Sequence, residues 1–482
     1  MDNKKTIISG AKWMSISTFV TSLVAILRLS ILAHFLEKSD FGIVAILTFI
    51  HGLTIMFSDM GFGTVVLHKQ NLQKKEFSSL FWIQMLVYAV LYLFIICFTK
   101  PIAAFYSEPL LNVLLPLSMV DLFFTALGKL YEAVLQKHFQ FKIIAIRNIV
   151  ANILSLILAL AMAMMGYGVY SLVISTLFYS FVLSVWNFAV GQKHVRLQFY
   201  CSIKGMAYLI KIGLYQTGTS IVDYSCSKLD VLIIGKFLGM EDLGVYNLSK
   251  EFIFRFIQGV NSIATKVLSP VFAKMQDNIV MMRNSYINAL SKLTSLTFVV
   301  LAFIMALSSQ IITILYGNSY QESGLLTSLL ACSAIGVVVG NSLASIIIAS
   351  GRTDLTFKYV WIRVIYTVPC IYYCSQYSIY AVAIGQILIM ILDYVFQGLI
   401  EVKPILNLSL RKLTATFYRQ ALLLLIVGSF GFYIFSKNPL HYSMPILEII
   451  VYGPIVFISF IILYAIILSD EFKYIKKLIK QK

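Results

Sequence analysis

The chain reads as an all-α membrane protein of about fourteen spanning helices, and three observations carry that reading. Its 482 residues are 59% hydrophobic and only 12% charged, with a mean hydropathy of +0.86, which leaves too little polar surface to enclose soluble domains. Apolar runs of about 20 residues, the length that crosses a bilayer, recur along the whole chain. Lys and Arg collect in alternate connections, 28 on one side of the implied membrane against four on the other. By the positive-inside rule the basic side is cytoplasmic, which puts both termini in the cytoplasm. This distribution also gives the net charge of +17 a topological meaning and removes the reason to look for nucleic acid.

Spans 1 and 2, residues 13–35 and 41–67, form a hairpin through the tight polar turn Glu37-Lys38-Ser39-Asp40. No small-residue cleavage site follows the first run, so it is expected to stay as a helix rather than leave as a signal peptide. Spans 3 and 4 cover 80–99 and 110–135; the second of them carries Pro116 and a stripe of Asp121, Thr125, Lys129 and Glu132, with Lys129 and Glu132 close enough to pair. Spans 5 and 6, 143–165 and 169–190, are joined by so few residues (Met165 to Val169) that they must be antiparallel neighbours. A basic connection from Gly191 to Lys211 leads to spans 7 to 12, at 207–234, 243–271, 286–316, 324–349, 357–374 and 379–400. Spans 11 and 12 form another short-loop hairpin, with Pro369 in the first and Asp393 in the second. After a second basic connection, Glu401 to Arg419, a final pair covers 417–435 and 445–468. The expected organisation is a six-helix lobe over 1–200, a second over 201–403, and two additional helices with a basic cytoplasmic tail over 404–482. Trp13, Trp82, Trp186 and Trp361 all fall near helix ends on the cytoplasmic side, as an interfacial belt would.

One stretch is repeated. AHFLEKSDFGIVAIL, from Ala33, returns as GKFLGMEDLGVYNLS, from Gly235, with Phe-Leu, Asp and Gly in register and apolar residues on both sides of the turn. That similarity points to an internal duplication of a helix hairpin.

Charges inside spans are informative, because an ionised side chain at bilayer depth costs a few kcal/mol or more unless it meets a partner or a wet cavity. The in-span cations are Arg28, Lys129, Lys228, Lys250, Arg255 and Lys266, and the anions are Asp59, Asp121, Glu132, Asp223, Asp230, Glu251 and Asp393. Nine of these thirteen lie in spans 1, 2, 7 and 8, the two copies of the repeated hairpin. Asp223, Ser227 and Asp230 share one stripe of span 7; in span 8, Glu251 and Arg255 are four apart and can pair, Lys250 needs another anion, and Lys266 can snorkel to the cytoplasmic surface. Two readings stand side by side: interhelical ion pairs that hold the bundle, or the lining of a polar cavity. His51, alone in the middle of span 2, is either a hydrogen-bonded core residue or a proton relay.

Nothing indicates catalysis. Six cysteines and six histidines make no metal-binding spacing, and Cys370 and Cys374 read as packing residues. No serine sits in a nucleophile elbow and no glycine-rich phosphate loop follows a strand, so no enzyme, no cofactor and no metal are expected.

Arg28, Phe35-Leu36, Asp40-Phe41-Gly42 and Ser58-Asp59-Met60-Gly61-Phe62-Gly63, followed by Asp230-Val-Leu-Ile-Ile-Gly-Lys-Phe-Leu-Gly and Leu243-Gly-Val-Tyr, resemble the polysaccharide exporters of the MOP superfamily. These include Wzx-type O-antigen, capsule and exopolysaccharide flippases, with lipid II flippases and MATE drug exporters as more distant relatives. The resemblance implies a MATE-like V-shaped bundle in the bacterial inner membrane. It further implies that an undecaprenyl-pyrophosphate-linked oligosaccharide is moved to the periplasmic leaflet by alternating access, with a polysaccharide polymerase and glycosyltransferases as partners. Fourteen spans depart from the twelve of many Wzx proteins. A bulky anionic head group needs a wet cationic cavity, so Arg28 and Arg255 are the first candidates for pyrophosphate contact, because a guanidinium stays charged when desolvated and binds phosphate through two parallel hydrogen bonds. Lys228 and Lys250 are second candidates. Asp59, Asp223 and Asp230 are candidates for a coupling H+ or Na+. A MATE-like exporter of cationic molecules would instead want an anion-dominated cavity, and a scaffold for glycosyltransferases would not need so many interior charges.

Overall fold

The computed structural model describes residues 2–59, 62–68, 73–202, 218, 220–437 and 445–467. Every described element is a helix. In a bilayer this works because an α-helix satisfies its own backbone donors and acceptors where no water can. The chain divides by its internal packing into two compact units, Met1–Gly244 and Val245–Lys482.

The first unit opens with α1 (Asp2–Leu32), α2 (Lys38–Asp59), the short α3 (Phe62–His68) and α4 (Lys74–Tyr106). It continues with α5 (Leu111–Met119), α6 (Asp121–Lys137), α7 (Phe141–Met164), α8 (Val169–Gly191) and α9 (Leu229–Phe237). The helix α1 packs on α7, α7 on α8 and α8 on α6, while α2 lies against α4, α5, α8 and α9. The expected fourth span is a bent pair: α5 stops and α6 begins around Val120, one turn beyond Pro116, the residue whose missing N–H permits a kink. Large apolar side chains on α4 such as Leu86, Val90, Leu93 and Phe94 stay uncovered, as a lipid-facing surface must. At the other end of α4, Phe77, Leu80 and Phe81 bury against Tyr131 and Val134 of α6. The connection after α8 is strapped onto that end of α4: the hydroxyls of Ser78 and Ser79 accept from the backbone N–H groups of Gln198 (2.9 Å) and Ser202 (3.0 Å), and Trp82 Nε1 donates to the Gln198 carbonyl (3.0 Å).

The repeated turn acquires a structural meaning in this unit. A Cβ built on Gly42 would lie 2.0 Å from the carbonyl oxygen of Met240, and one built on Gly244 would lie 1.8 Å from the carbonyl oxygen of Lys38. Lys38 and Met240 occupy the same place in the repeat, as do Gly42 and Gly244. The two copies therefore meet reciprocally, each glycine seated on the other copy's backbone, and Lys38 and Glu241 add an ion pair at 3.5 Å. Gly239, at φ 89°, turns the chain out of α9 into α10 (Gly239–Ala273), a conformation that an L side chain would strain.

The second unit takes in most of α10, then α11 (Ile279–Ala306), α12 (Ser308–Tyr316), α13 (Ser323–Ser350), α14 (Thr353–Cys374) and α15 (Ile379–Gln397). A five-residue π-helical turn, Gly398–Val402, leads into α16 (Lys403–Leu406), and α17 (Leu410–Phe435) and α18 (Pro445–Ile467) follow. Here α11 packs on α17 and α13, α13 on α15, and α18 on α17 and α12. Eleven helices among the described residues are long and apolar enough to cross a membrane. Three expected spans are not among those eleven. Residues 207–217 and 219 of the span at 207–234 lie outside the described residues, and the spans at 243–271 and 357–374 are helical as α10 and α14 but carry several charges. The expected span at 286–316 is two helices, α11 and α12, separated at Leu307.

Candidate functional site

The first unit holds a chain of polar groups inside its apolar helices. Arg28, one turn before the end of α1, reaches α7 and α8: its guanidinium donates to Ser155 Oγ (3.5 Å), the Leu172 carbonyl (3.0 Å), Ser175 Oγ (2.7 Å) and Thr176 Oγ1 (2.9 Å). These four acceptors are neutral oxygens, and they hold the guanidinium in place. The contact is possible because serine and threonine at those helix positions leave room between the backbones and present hydroxyls to the neighbour.

On α2, His51 Nε2 lies 2.5 Å from Asp121 Oδ2, and Thr125, one turn along α6, donates to the same oxygen at 3.3 Å. His51 is thus a partnered interior residue. Farther along α6, Glu132 takes Arg147 of α7 at 3.5 Å, and Arg147 also donates to Asn148 and Asn187. Arg147 is 1% exposed. The sequence reading grouped it with the cytoplasmic loop cations and so missed it. Its position inside the apolar run at 143–165, with Asn148 and Asn152 following, was the available signal.

Span 7 behaves less simply than its stripe suggested. A turn at Lys228 interrupts the helix between residues 220–227 and α9, leaving Asp223 exposed and Asp230 1% exposed in the first turn of α9. There Asp230 Oδ1 accepts from the Val231 N–H (2.9 Å), and the helix N-terminus favours its charge. Lys228 is half-buried at the break. Asp59 ends α2, and its side chain lies outside the described residues, as does that of Lys266.

In the second unit Arg255 and Glu251 pair at 3.2 Å within α10, as their spacing implied, and both stay partly exposed. Lys250 is 7% exposed, with its ammonium 5.8 Å from the Tyr246 ring and 5.6 Å from the Phe254 ring. Asp393 collects Arg363 (3.3 Å) and the hydroxyls of Tyr359 (2.8 Å) and Tyr366 (2.5 Å) from α14. Glu448 on α18 accepts from Gln310 of α12 at 2.8 Å. Arg363 was another residue assigned to the loops, and Glu448 was not picked out at all. Cys370 and Cys374 close on Gly385, a packing role. Among the described residues no group of three or more His, Cys, Asp or Glu side chains is placed to hold a metal ion.

Comparison with known proteins adds a family. Residues 31–325 match the family described as Polysaccharide biosynthesis protein. Among curated relatives, the teichuronic acid biosynthesis protein TuaB of Bacillus subtilis (strain 168) is 27% identical over 73% of this chain and 73% of its own. The lipopolysaccharide biosynthesis protein WzxC of Escherichia coli (strain K12) is 25% identical over 86% of this chain and 84% of its own. Among solved structures, the lipid II flippase MurJ in an inward closed conformation superposes with a TM-score of 0.74, at 14% identity, over 95% of this chain and 99% of its own. An inward-facing MATE family multidrug transporter of the MOP superfamily gives 0.58, again at 14% identity, over 82% of this chain and 96% of its own. At these identities the structures establish the shared fold.

Proposed function

Because the chain belongs to the polysaccharide biosynthesis protein family, we propose that it is a flippase, one that moves an undecaprenyl-pyrophosphate-linked oligosaccharide from the cytoplasmic to the periplasmic leaflet of the bacterial inner membrane by alternating access. The observation that carries the proposal is Arg28: an arginine within a membrane-spanning helix, anchored by hydroxyl and carbonyl oxygens of α7 and α8, places a guanidinium where an anionic head group would need one. Arg255, Lys228 and Lys250 supply further cations. Arg255 shares its charge with Glu251, so its contact with pyrophosphate involves exchanging one carboxylate oxygen for a phosphate oxygen. Movement is driven by a coupling ion, H+ or Na+, for which Asp59, Asp223 and Asp230 are the candidates that the sequence offers. Both termini are cytoplasmic, and the polymerase and glycosyltransferases that use and make the lipid-linked repeat unit are its functional partners.

The test is precursor localisation. In a strain without a redundant exporter, deletion should strip surface polysaccharide and accumulate the undecaprenyl-linked precursor in the cytoplasmic leaflet. Arg28→Ala should do the same at near-normal protein abundance, since losing a charge-assisted hydrogen bond costs about 1.5 to 3 kcal/mol, roughly tenfold to a hundredfold in binding. Arg28→Lys should recover part of the activity, because it keeps the charge and loses the fork. A deletion strain with normal precursor distribution overturns the flippase reading, and altered tolerance to cationic compounds in its place would support a drug exporter.

A further inference from the structure

Asp121 is set apart from the other interior carboxylates described above by an enclosed oxygen that meets no donor among the described residues. Arg147 and Glu132 are surrounded by asparagine amides, and Asp393 has three donors. Both contacts of Asp121 fall on one oxygen: Oδ2 accepts from Thr125 and lies against His51 Nε2, which is close but not aligned for a hydrogen bond, while Oδ1, fully enclosed, meets no donor among the described residues. A buried carboxylate held permanently charged is expected to have both oxygens satisfied, and an enclosed oxygen without a donor costs about 1 to 3 kcal/mol. A proton on the carboxyl removes the buried charge, which is what makes a bare oxygen most costly.

Exposure divides the labour. The His51 side chain is 25% exposed and that of Asp121 5% exposed, so the imidazole is the more accessible of the two groups. Counting charge gives the pair two states of interest. With one proton in excess of a neutral imidazole and an ionised carboxylate it is neutral overall, and with none it leaves one negative charge inside the helices, which costs a few kcal/mol or more at bilayer depth. The neighbouring charges do not settle the balance for it. Arg147 and Glu132 compensate one another, and Tyr179 of α8, within electrostatic reach of both and of Asp121, is hydrogen-bonded to Asn152. On the other elements packed against α2, Tyr88 of α4 and Asp230 of α9 are buried, and Tyr224 stacks on Phe49 with its hydroxyl directed at the Thr48 carbonyl (3.4 Å). No titratable residue is present on α5.

We propose that His51 and Asp121 form the site where the protein takes up and releases its coupling proton, with His51 as the entry group and Asp121 as the enclosed store. The step is a proton transfer only: a proton from water binds the imidazole, passes to the carboxyl, and leaves by the reverse route when the site next meets water of lower proton activity. This rests on the ion-coupled flippase reading above, and it moves the coupling from the aspartates that the sequence singled out to a pair made by two helices.

The experiment has a part that needs no substrate. The purified protein in lipid nanodiscs, with 13C-labelled histidine, is titrated from pH 5 to 9, and the His51 resonance is identified as the one missing from His51→Gln. The His51 resonance should change within that range, and Asp121→Asn should change that response. A His51 that holds one protonation state throughout, or whose response ignores Asp121→Asn, overturns the site. The second part reads surface polysaccharide in cells treated with nigericin, which collapses the pH gradient. Export by the parent should fall severalfold, whereas residual export by His51→Gln, whose amide still donates to Asp121 but carries no proton, should not respond. Equal proportional loss in parent and variant overturns the coupling. If deletion of the protein leaves export intact, the flippase reading fails instead, and the titration still decides the site.

Discussion

Alanine at Gly244 is expected to prise apart the reciprocal contact of the repeated turn. The new Cβ would start 1.8 Å from the Lys38 carbonyl oxygen and must recede to at least 3.0 Å, a displacement of about 1.2 Å. The obstacle is backbone in the first turn of α2, which cannot rotate aside as a side chain could. Overpacking of this kind costs about 1 to 3 kcal/mol, and for a unit of this size each kcal/mol lowers the melting temperature by about 2 to 4 °C. The detergent-purified variant should therefore melt several degrees below the parent. Gly42→Ala should behave alike, since its Cβ would start 2.0 Å from the Met240 oxygen, and the double variant should lose less than the sum because both substitutions push on one shared contact. Gly259 is the control: it sits in α10 with nothing within 4 Å of its Cβ position, so alanine there should stabilise by up to about 1 kcal/mol. A Gly244→Ala protein that melts with the parent while Gly259→Ala stabilises as expected would refute the reasoning.

Arg147→Ala should cost about 3 to 5 kcal/mol, because Glu132, Asn148 and Asn187 lose their buried partner; the measurable outcome is a sharp fall in membrane-inserted protein, with Arg147→Lys intermediate. A cysteine at Lys74 should react with membrane-impermeant reagent only after cells are opened, and one at Lys437 in intact spheroplasts; the opposite pattern would reverse the orientation. His138, stacked on His194 at 4.4 Å beyond the end of α6, is held below the ordinary imidazole value by partial burial first and then by the nearby His194 and Lys137. Its unfolded form binds a proton more readily, so its contribution to stability is present above about pH 6.5 and is lost as the pH falls through the depressed value. Melting curves between pH 8 and 5 should show that loss, and His138→Gln should reduce it.

Hydropathy and charge were local properties, and they identified the membrane class, most spans and the presence of interior charge from the sequence alone. The Glu251–Arg255 pair was legible for the same reason, since a helix brings residues four apart together whatever surrounds it. Partner choice across helices was not. Glu132 meets Arg147, His51 meets Asp121, and Arg28 meets hydroxyls more than a hundred residues away, because helix packing decides which faces touch. The turn at Lys228 likewise broke a stripe that ideal helical spacing had drawn, burying Asp230 while leaving Asp223 exposed. What the repeat in the sequence marked as related, the tertiary structure turned into a contact. Only glycine permits backbones to approach so closely, and only the assembled helices showed which backbone each glycine meets.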